Sequence, residues 1–270
     1  MRAPRRRRAA VQDRQFVAAL ARGLDVLACF RTSDKQLTNQ EIAERCQLPK
    51  STVSRLTHTL TRLGYLQYVD ASARYRLGTA TLALGSAMLA RMNARQLARP
   101  LMQEVAEATG AVVAMGTCAQ LSMIYVEICR SRAPVTISLD VGARLPLATT
   151  AMGRAYLAGV TDEERRELMS QIRQHDRSSW PKLRKGIEAA VAQHRQLGIC
   201  SSFGEWQKDL NGIAAPIRPG GGTPTLVISC GGPAFQLAPD YLLNVVRPRL
   251  VELIRRLKVT LGSEHEPAHQ

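Results

Sequence analysis

The sequence predicts an α+β protein of two domains, with a winged helix-turn-helix at the N-terminus, a linker helix and an α/β domain at the C-terminus. Residues 37–66 have the pattern of two short helices and the start of a strand. Residues 79–98 form one apolar helical run, and residues 101–261 mix helical and strand patterns. A chain of 270 residues is long enough to give each domain its own core.

Two helices separated by a tight turn are predicted within residues 37–66. Thr38 and Glu41 have the spacing of a capping box, in which the hydroxyl and the carboxylate each accept a hydrogen bond from a free backbone N–H. The first helix is expected to end near Cys46. Pro49 suits the first turn of the second helix, where its missing N–H costs nothing.

The second helix has one apolar face and one polar face. The apolar positions recur at helical spacing: Val53, Leu56, Leu60 and Leu63. The opposite face carries side chains that form hydrogen bonds: Lys50, Ser51, Thr52, Ser54, Arg55, His58 and Arg62. A short helix followed by a longer one with a polar, basic leading edge is the arrangement that reads the DNA major groove. The alternative is a pair of ordinary amphipathic helices whose polar face is only solvated.

A β-hairpin is predicted directly after these helices, as the wing of a winged helix-turn-helix. Gly64 ends the second helix, strands follow at residues 65–69 and 74–77, and Arg74 and Arg76 are placed to meet phosphate or the minor groove. A preceding helix is expected to complete the core through Leu20, Leu24 and Leu27. The predicted DNA-binding residues are Thr38, Lys50, Ser51, Thr52, Ser54, Arg55, His58, Arg74 and Arg76.

The net charge of +15 is unevenly distributed. Residues 1–78 contain 15 Lys and Arg against 6 Asp and Glu, whereas residues 79–270 contain 22 against 16. Clustered cations supply the salt-dependent part of DNA affinity, while a role in solubility alone fits the second domain better. Residues 1–15, which include Arg5–Arg8, are expected to form a disordered basic arm that adds phosphate contacts. An inert tail is the alternative.

A linker helix is predicted over residues 79–98, between a DNA-binding domain at residues 16–78 and a second domain at residues 99–264. It is rich in Ala, Leu and Met and has no proline before Pro100. A helix that is apolar on most sides is usually buried, and the simplest partner for a linker is a second copy of itself. A homodimer is therefore expected, which also suits a two-fold operator.

The pattern after Pro100 is that of an α+β sensor domain. Strands are predicted at residues 111–117, 123–129, 135–139, 210–217 and 225–230, with a turn at 219–222. Helices are predicted at residues 101–109, 151–158, 162–174, 182–197 and 240–261, followed by a short tail at 265–270. Antiparallel hairpins flanked by helices suit a small-ligand receptor.

Two loops in this domain are candidate binding elements. The first, residues 142–158, leads through Thr150 and Gly153 into a helix whose first N–H groups can hold an anion. The second, residues 201–217, places Glu205 before a strand. Each loop is also compatible with turn chemistry alone.

The sequence lacks the motifs that would indicate an enzyme, a metal site or a membrane protein. It has no G-x-S-x-G or H-E-x-x-H motif and no Cys/His cluster, so no enzyme activity, metal or cofactor is expected. The six cysteines are scattered and are expected to be buried thiols of a reducing cytoplasm. No apolar run is long enough to span a membrane, and none follows the N-terminal arginines as in a secretion signal. A cytoplasmic protein is therefore expected.

The chain resembles the IclR family of bacterial transcription regulators over residues 16–262. The matching segments are ARGLDVLACF (21–30), LTNQEIAERCQLPKSTVSRL (37–56), LGYL (63–66), YRLG (75–78), LPLATTAMGRAYLA (145–158), GE (204–205), NGIAAPI (211–217) and GGP (231–233). The opening residues are most similar to the branch that controls the breakdown of aromatic and other organic acids.

This resemblance implies a GAF-like effector domain, double-stranded operator DNA as a partner, a homodimer or homotetramer, and a small carboxylate or related metabolite as effector. Residues carried over by position, together with those of the two loops, make up the predicted effector-binding set: Leu145, Thr150, Ala151, Met152, Gly153, Glu205 and Ser229. Where relatives often have a second hydroxyl, in a strand ending S-x-S-G-P, this chain has Ser229-Cys230-Gly231. A DNA binder without an effector, whose C-terminal domain only oligomerises, is the remaining alternative.

Overall fold

The computed structural model describes residues 15–31, 34–90, 93–131, 139–218 and 224–263. These residues divide into two compact units, one reaching Met88 and the other beginning at Leu89. Four predicted segments lie wholly or largely outside the described residues: the basic arm (1–15), the strand at 135–139, the turn at 219–222 and the tail (265–270).

The first unit contains three helices, a two-stranded sheet and most of a fourth helix. The elements are α1 (Ala18–Ala28), α2 (Asn39–Cys46), α3 (Lys50–Arg62), β1 (Leu66–Val69), β2 (Arg74–Leu77) and α4 (Thr79–Ala90). A 3-10 turn joins the two strands, which pair antiparallel with Leu66 opposite Leu77. This is the predicted winged helix-turn-helix.

The start of α2 is set by the predicted capping box. The Glu41 N–H donates to Thr38 Oγ1 at 3.2 Å, and the Thr38 N–H donates to Glu41 Oε2 at 2.7 Å. After α2 the chain turns at Gln47, whose φ of 54° lies in the left-handed region. Pro49 precedes α3 as its N-cap rather than lying inside its first turn. The prediction of the capping box is confirmed.

The buried face of α1 differs from the predicted one. Leu20 and Leu24 are 62% and 56% exposed, whereas Val26 is fully buried. The helix faces α3 through Gly23, where an added Cβ would lie 4.0 Å from Leu56. Because this face is displaced around the helix from Leu20 and Leu24, their predicted place in the core is wrong.

The buried face of α3 is one turn shorter than predicted. Leu63 is 61% exposed because it follows the last residue of α3 as its C-cap. The fully buried positions are Val53 and Thr57. The Thr57 hydroxyl donates to the Val53 carbonyl at 3.0 Å, so a polar side chain in the core keeps a hydrogen bond.

The predicted helix break before Pro100 is absent. Helix α5 (Asn93–Thr109) includes this proline. Its buried face continues on both sides, with Ala94 and Ala98 before the proline and Met102 after it. This packing offsets the cost of a proline inside a helix, which is about 3 kcal/mol.

The second unit also contains a six-stranded antiparallel sheet with helices on both faces. Its order is β5-β4-β3-β8-β7-β6, and the strands are β3 (Val112–Ala119), β4 (Ser122–Cys129), β5 (Arg144–Pro146), β6 (Cys200–Phe203), β7 (Leu210–Ile217) and β8 (Leu226–Pro233). The helices after β5 are α6 (Ala151–Gly159), α7 (Asp162–His175), α8 (Trp180–Leu197), α9 (Pro239–Tyr241) and α10 (Arg247–Ser263), with a π-helical turn (Leu242–Val246) before α10. The sequence pattern predicts neither β5 nor β6, since each is a short edge strand.

The sheet separates two apolar cores. One lies towards α5 and α10 and includes Met102 and Leu250. The other lies towards α6 and α8 and includes Leu145, Met152 and Ile187. Because side chains alternate along a strand, the central strands supply residues to both cores. The α+β class, with a helix-turn-helix unit and an α/β unit, is confirmed.

Only half of the cysteines are buried. Cys129, Cys200 and Cys230 are buried as expected, and burial raises the pKa of Cys230 to about 12. The other three are only half-buried, so the expectation of six buried thiols was too broad, and all six are free. Among the described residues, no helix is both long and apolar enough to cross a membrane.

Candidate functional site

The outer face of α3 presents most of the side chains predicted to contact DNA. Ser51, Ser54, Arg55 and His58 are exposed, and Thr52 is half-buried beside them. Within the described part of the chain these five side chains have no hydrogen-bond or ion-pair partner. Free donors and acceptors on one side of a helix are what contact with base edges and phosphates requires.

Thr38 and Arg74 have structural roles inside the first unit. The Thr38 hydroxyl is used in the cap of α2, and its neighbouring N–H lowers the pKa of Glu41. Arg74 forms an ion pair with the same Glu41 at 3.3 Å, which links the wing to the start of α2. Neither side chain is therefore as free for DNA as those on the outer face of α3.

Lys50 and Arg76 are exposed, and within the described residues the side chain of each donates a hydrogen bond to an amide side chain alone. Lys50 Nζ donates to Gln40 at 3.0 Å, and Arg76 Nε donates to Gln67 at 3.1 Å. Exposed neutral partners are easily exchanged for phosphate oxygens, because a charge-assisted hydrogen bond is the stronger one. Both cations are available to a nucleic-acid backbone.

A cavity lies between the sheet and α6 in the second unit. Its volume is about 60 Å³, enough for roughly four to six water molecules. Five of the seven predicted effector residues line it, namely Leu145, Thr150, Ala151, Met152 and Ser229. Other wall residues include Tyr125, Leu139, Ser202, Trp206 and Asn211. None of the described lining residues is charged.

Three polar wall residues already serve the fold. Thr150 caps α6, since its hydroxyl accepts a hydrogen bond from the Gly153 N–H at 3.0 Å. Ser202 and Asn211 donate to backbone carbonyls at 2.8 and 3.0 Å. A ligand that took over these groups would have to replace the bonds that they make.

The other polar groups of the cavity wall are the hydroxyls of Tyr125 and Ser229, which share a hydrogen bond, and two backbone N–H groups. Burial raises the pKa of Tyr125 to about 12, although the neighbouring Ser229 hydroxyl lowers it, so the phenol is protonated and can donate. The Ser229 hydroxyl has a long contact of 3.5 Å with the Ala114 carbonyl. The N–H groups of Ala151 and Met152, at the start of α6, have no acceptor within the helix.

Glu205 lies outside the cavity wall and forms a bidentate ion pair with Arg154, at 2.6 and 2.5 Å. The guanidinium lowers the pKa of Glu205. Arg154 is only 5% exposed and also donates to the carbonyls of Ala148 and Ser201, each at 3.2 Å. This pair fixes the loop in which the next residue, Trp206, lines the cavity.

Gly153 also lies outside the wall, behind the start of α6. A Cβ at this position would lie 2.1 Å from the Leu147 carbonyl oxygen, so only glycine allows this contact. Its role is to let α6 approach the preceding loop. The structure thus separates Gly153 and Glu205 from the five predicted residues that it brings together.

Tyr125 and Trp206 are absent from the residues predicted to bind a ligand. Trp206 follows the G-E pair in the second candidate loop, and this position is a usable signal. Tyr125 lies within a predicted strand, but an irregularity opposite Met115 and Gly116 decides which side of the sheet it faces. The spacing of apolar residues in the sequence does not predict this irregularity.

This chain combines a winged helix-turn-helix with an α/β domain that contains a cavity. The combination is typical of transcription regulators that bind DNA and respond to small molecules. Two family models match the chain: the IclR helix-turn-helix domain at residues 19–70, and the C-terminal domain of the bacterial transcriptional regulator IclR at residues 86–257. The chain belongs to the IclR family of transcriptional regulators. It has that family's DNA-binding helix-turn-helix and effector-binding C-terminal domain.

Relatives and solved structures agree with this assignment. The chain is 32% identical over 254 residues to the HTH-type transcriptional regulator TsaQ1/TsaQ2 of Comamonas testosteroni, which covers 93% of this chain and 91% of that protein. An IclR family transcriptional regulator from Brucella abortus superposes with a TM-score of 0.83 at 43% identity, covering 92% of this chain and 94% of that one. An IclR homolog from Microbacterium hydrocarbonoxydans, solved in complex with 4-hydroxybenzoate, superposes with a TM-score of 0.66 at 25% identity, covering 92% and 98%.

Proposed function

We propose that this regulator binds its operator through α3 and that a small organic acid in the cavity changes operator affinity. The observation that supports an acid is that Ala151 and Met152, at the start of α6, line the same cavity as the hydroxyl-bearing residues Tyr125 and Ser229. All four residues can donate to an oxygen anion, and the dipole of α6 favours negative charge at its start. A cationic ligand would find no compensating charge among the described wall residues.

Aromatic acids are the first effectors to test. One homolog was solved with 4-hydroxybenzoate. The cavity of about 60 Å³ is small for such a ligand, so its wall would have to move outward. Smaller aliphatic acids need no such movement, and a screen should include both types.

In the proposed operator complex, Ser51, Thr52, Ser54 and Arg55 face the major groove and His58 contacts the backbone. Their exposure and lack of partners on one side of α3 support this placement. Wing and N-terminal arm cations would add contacts to phosphates without sequence preference. On this view, residues 16–78 bind DNA, 79–98 link the domains and 99–264 bind the effector.

Dimerisation through α4 is also part of the proposal. Leu82, Leu84 and Met88 are 70%, 61% and 52% exposed in the single chain, although the sequence of α4 is strongly apolar. Covering these side chains with a second copy would remove them from water. Leu82→Glu should shift the protein towards the monomer in sedimentation velocity. Val259→Glu, which places the same charge at an exposed apolar position on α10, should not. A dimer that persists equally in both variants would exclude α4 as the interface.

Operator titrations with and without organic acids test the whole proposal. Fluorescence anisotropy with the DNA upstream of the neighbouring genes should give one operator affinity for the free protein and another with the effector. The same acid should raise the melting temperature, because it binds the folded state. If no acid changes either quantity, the alternative of an effector-free DNA binder is favoured.

A further inference from the structure

Glu127 on β4 is a buried carboxylate that neither proposed binding site uses. The residue is 3% exposed. Its two carboxylate oxygens meet Arg95 Nε at 2.9 Å and Arg99 Nη1 at 2.5 Å, both on α5. The Arg95 contact is an ion pair without hydrogen-bond geometry, whereas Arg99 donates a hydrogen bond. The backbone N–H of Ile128 also donates to Glu127, at 3.1 Å.

A β-bulge separates this carboxylate from the cavity. On β3, Gly116 pairs with Tyr125 and Met115 pairs with Glu127, which leaves Val126 as the extra residue. In a regular strand residues 125 and 127 would share one face, but a bulge re-aims the side chains around it. Tyr125 consequently lines the cavity while Glu127 contacts α5 on the other side of the sheet.

The cavity wall contacts the same bulge from the other side. A Cβ added at Gly116 would lie 2.6 Å from Met152 Sδ and 2.9 Å from the Ile124 carbonyl oxygen. Met152 therefore packs directly on the bulged segment and lines the cavity at the same time. A ligand that displaces Met152 or Tyr125 therefore acts on side chains that contact the bulge.

We infer that Glu127 is a positioning residue that transmits the state of the cavity to α5. This inference rests on the proposed function, since it takes the cavity as the effector site. Only the Glu127 side chain is buried, at 4% exposed, whereas those of Arg95 and Arg99 are 32% and 60% exposed. Separation would leave the Glu127 charge buried without partners, which is costly, so a shift of β4 at Glu127 would pull on both arginines. The two arginines lie one turn apart near the start of α5, the helix that follows α4 in the chain.

Amide hydrogen exchange of full-length protein tests this role without any effector. Met152→Trp fills the cavity and serves as the perturbation. When Glu127 is intact, Met152→Trp should change the rate of amide exchange at the start of α5, residues 93–99, by about fivefold or more. This is the lower end of typical coupling between sites. In a Glu127→Gln background the same perturbation should leave exchange in this segment nearly unchanged.

Glu104→Gln is the matched control, because Glu104 is also on α5 but pairs with Arg256 of α10, at 3.1 Å. It should preserve the response to Met152→Trp. The inference is overturned if Glu127→Gln responds as fully as the Glu127 protein, or if Glu104→Gln abolishes the response equally. Should Glu127→Gln not fold, Arg99→Gln, which leaves the Arg95 pair, should reduce the response without abolishing it, and an undiminished response would overturn the inference. If no organic acid binds, the effector proposal is refuted. The exchange experiment uses no effector, so its result still decides the role of Glu127.

Discussion

The outer face of α3 and the cavity of the second unit differ in whether their polar side chains are already bonded within the protein. On α3, polar side chains such as Ser54 and Arg55 are exposed and have no partner within the described residues. In the cavity, Thr150, Ser202 and Asn211 are buried and already bonded to the protein itself. A surface site can therefore be altered without disturbing the fold, whereas much of the internal site is also part of the scaffold.

Arg55 and Arg154 illustrate this difference between the two sites, because both are arginines. Arg55 is exposed and available to a partner, while Arg154 is buried and makes hydrogen bonds to a carboxylate and two carbonyls. Because a buried unpaired polar group is costly, the same substitution should affect stability at one site and binding at the other. Substitutions at both positions separate the two effects.

The largest effect on folding is expected for Arg154→Met. It leaves two carbonyls and Glu205 without their donor, and we expect a loss of about 2–3 kcal/mol of unfolding free energy in urea titrations. The control is Arg184→Met, which removes an exposed ion pair with Glu188 and should cost less than about 0.5 kcal/mol. Equal losses in the two variants would contradict the structural role assigned to Arg154.

Arg55→Ala should weaken operator binding by about tenfold or more, since a specific base contact contributes roughly 1–3 kcal/mol. Its melting temperature should stay at the wild-type value, because Arg55 has no partner within the described residues. Arg173→Ala, an exposed position on α7, changes the net charge equally and serves as the control. An operator affinity unchanged by Arg55→Ala would show that α3 does not lie in the groove as proposed.

Ser229→Ala and Ser202→Ala compare a hydroxyl with only a long 3.5 Å bond to the backbone and one with a short 2.8 Å bond, within the same cavity. Each removes about 0.5–1.5 kcal/mol of hydrogen bonding. For Ser229→Ala the loss should appear in calorimetric titration as weaker effector binding, with operator binding retained. For Ser202→Ala it should appear mainly in unfolding free energy, because this hydroxyl bonds the Thr149 carbonyl. The reverse pattern would mean that the ligand engages Ser202 instead.

The smallest effect concerns pH. Arg154 lowers the pKa of Glu205 below its usual value of 4.5 in the folded state. The charged carboxylate therefore stabilises the fold above that value, and this contribution is lost as the pH falls through the lowered pKa. The stability gap between wild type and Glu205→Gln should be present at neutral pH and shrink as the pH falls below 4.5 and through the lowered pKa. It should be small, since the Glu205 side chain is 44% exposed. A gap that widens in acid would contradict the ion pair.

The sequence by itself determined the features whose causes lie within a few residues. The capping box of Thr38 and Glu41, the polar face of α3 and the hairpin that follows were all predicted from local spacing. The helix predicted over residues 79–98 from its Ala, Leu and Met content is observed as α4 over Thr79–Ala90, and most strands of the second unit also follow from the local pattern. The four residues carried over by the family resemblance, Leu145, Ala151, Met152 and Ser229, line one cavity together with Thr150 of the first candidate loop.

Only the tertiary structure decided which face of α1 is buried, whether α5 passes through Pro100 and where Glu205 points. Glu205 pairs with an arginine 51 positions earlier, a distance at which no local pattern operates. The bulge that places Tyr125 and Glu127 on opposite sides of the sheet likewise depends on pairing between strands. The physical reason is common to all of them. Burial and hydrogen-bond partners are set by contacts between segments far apart in the chain, and these contacts exist only once the chain has folded.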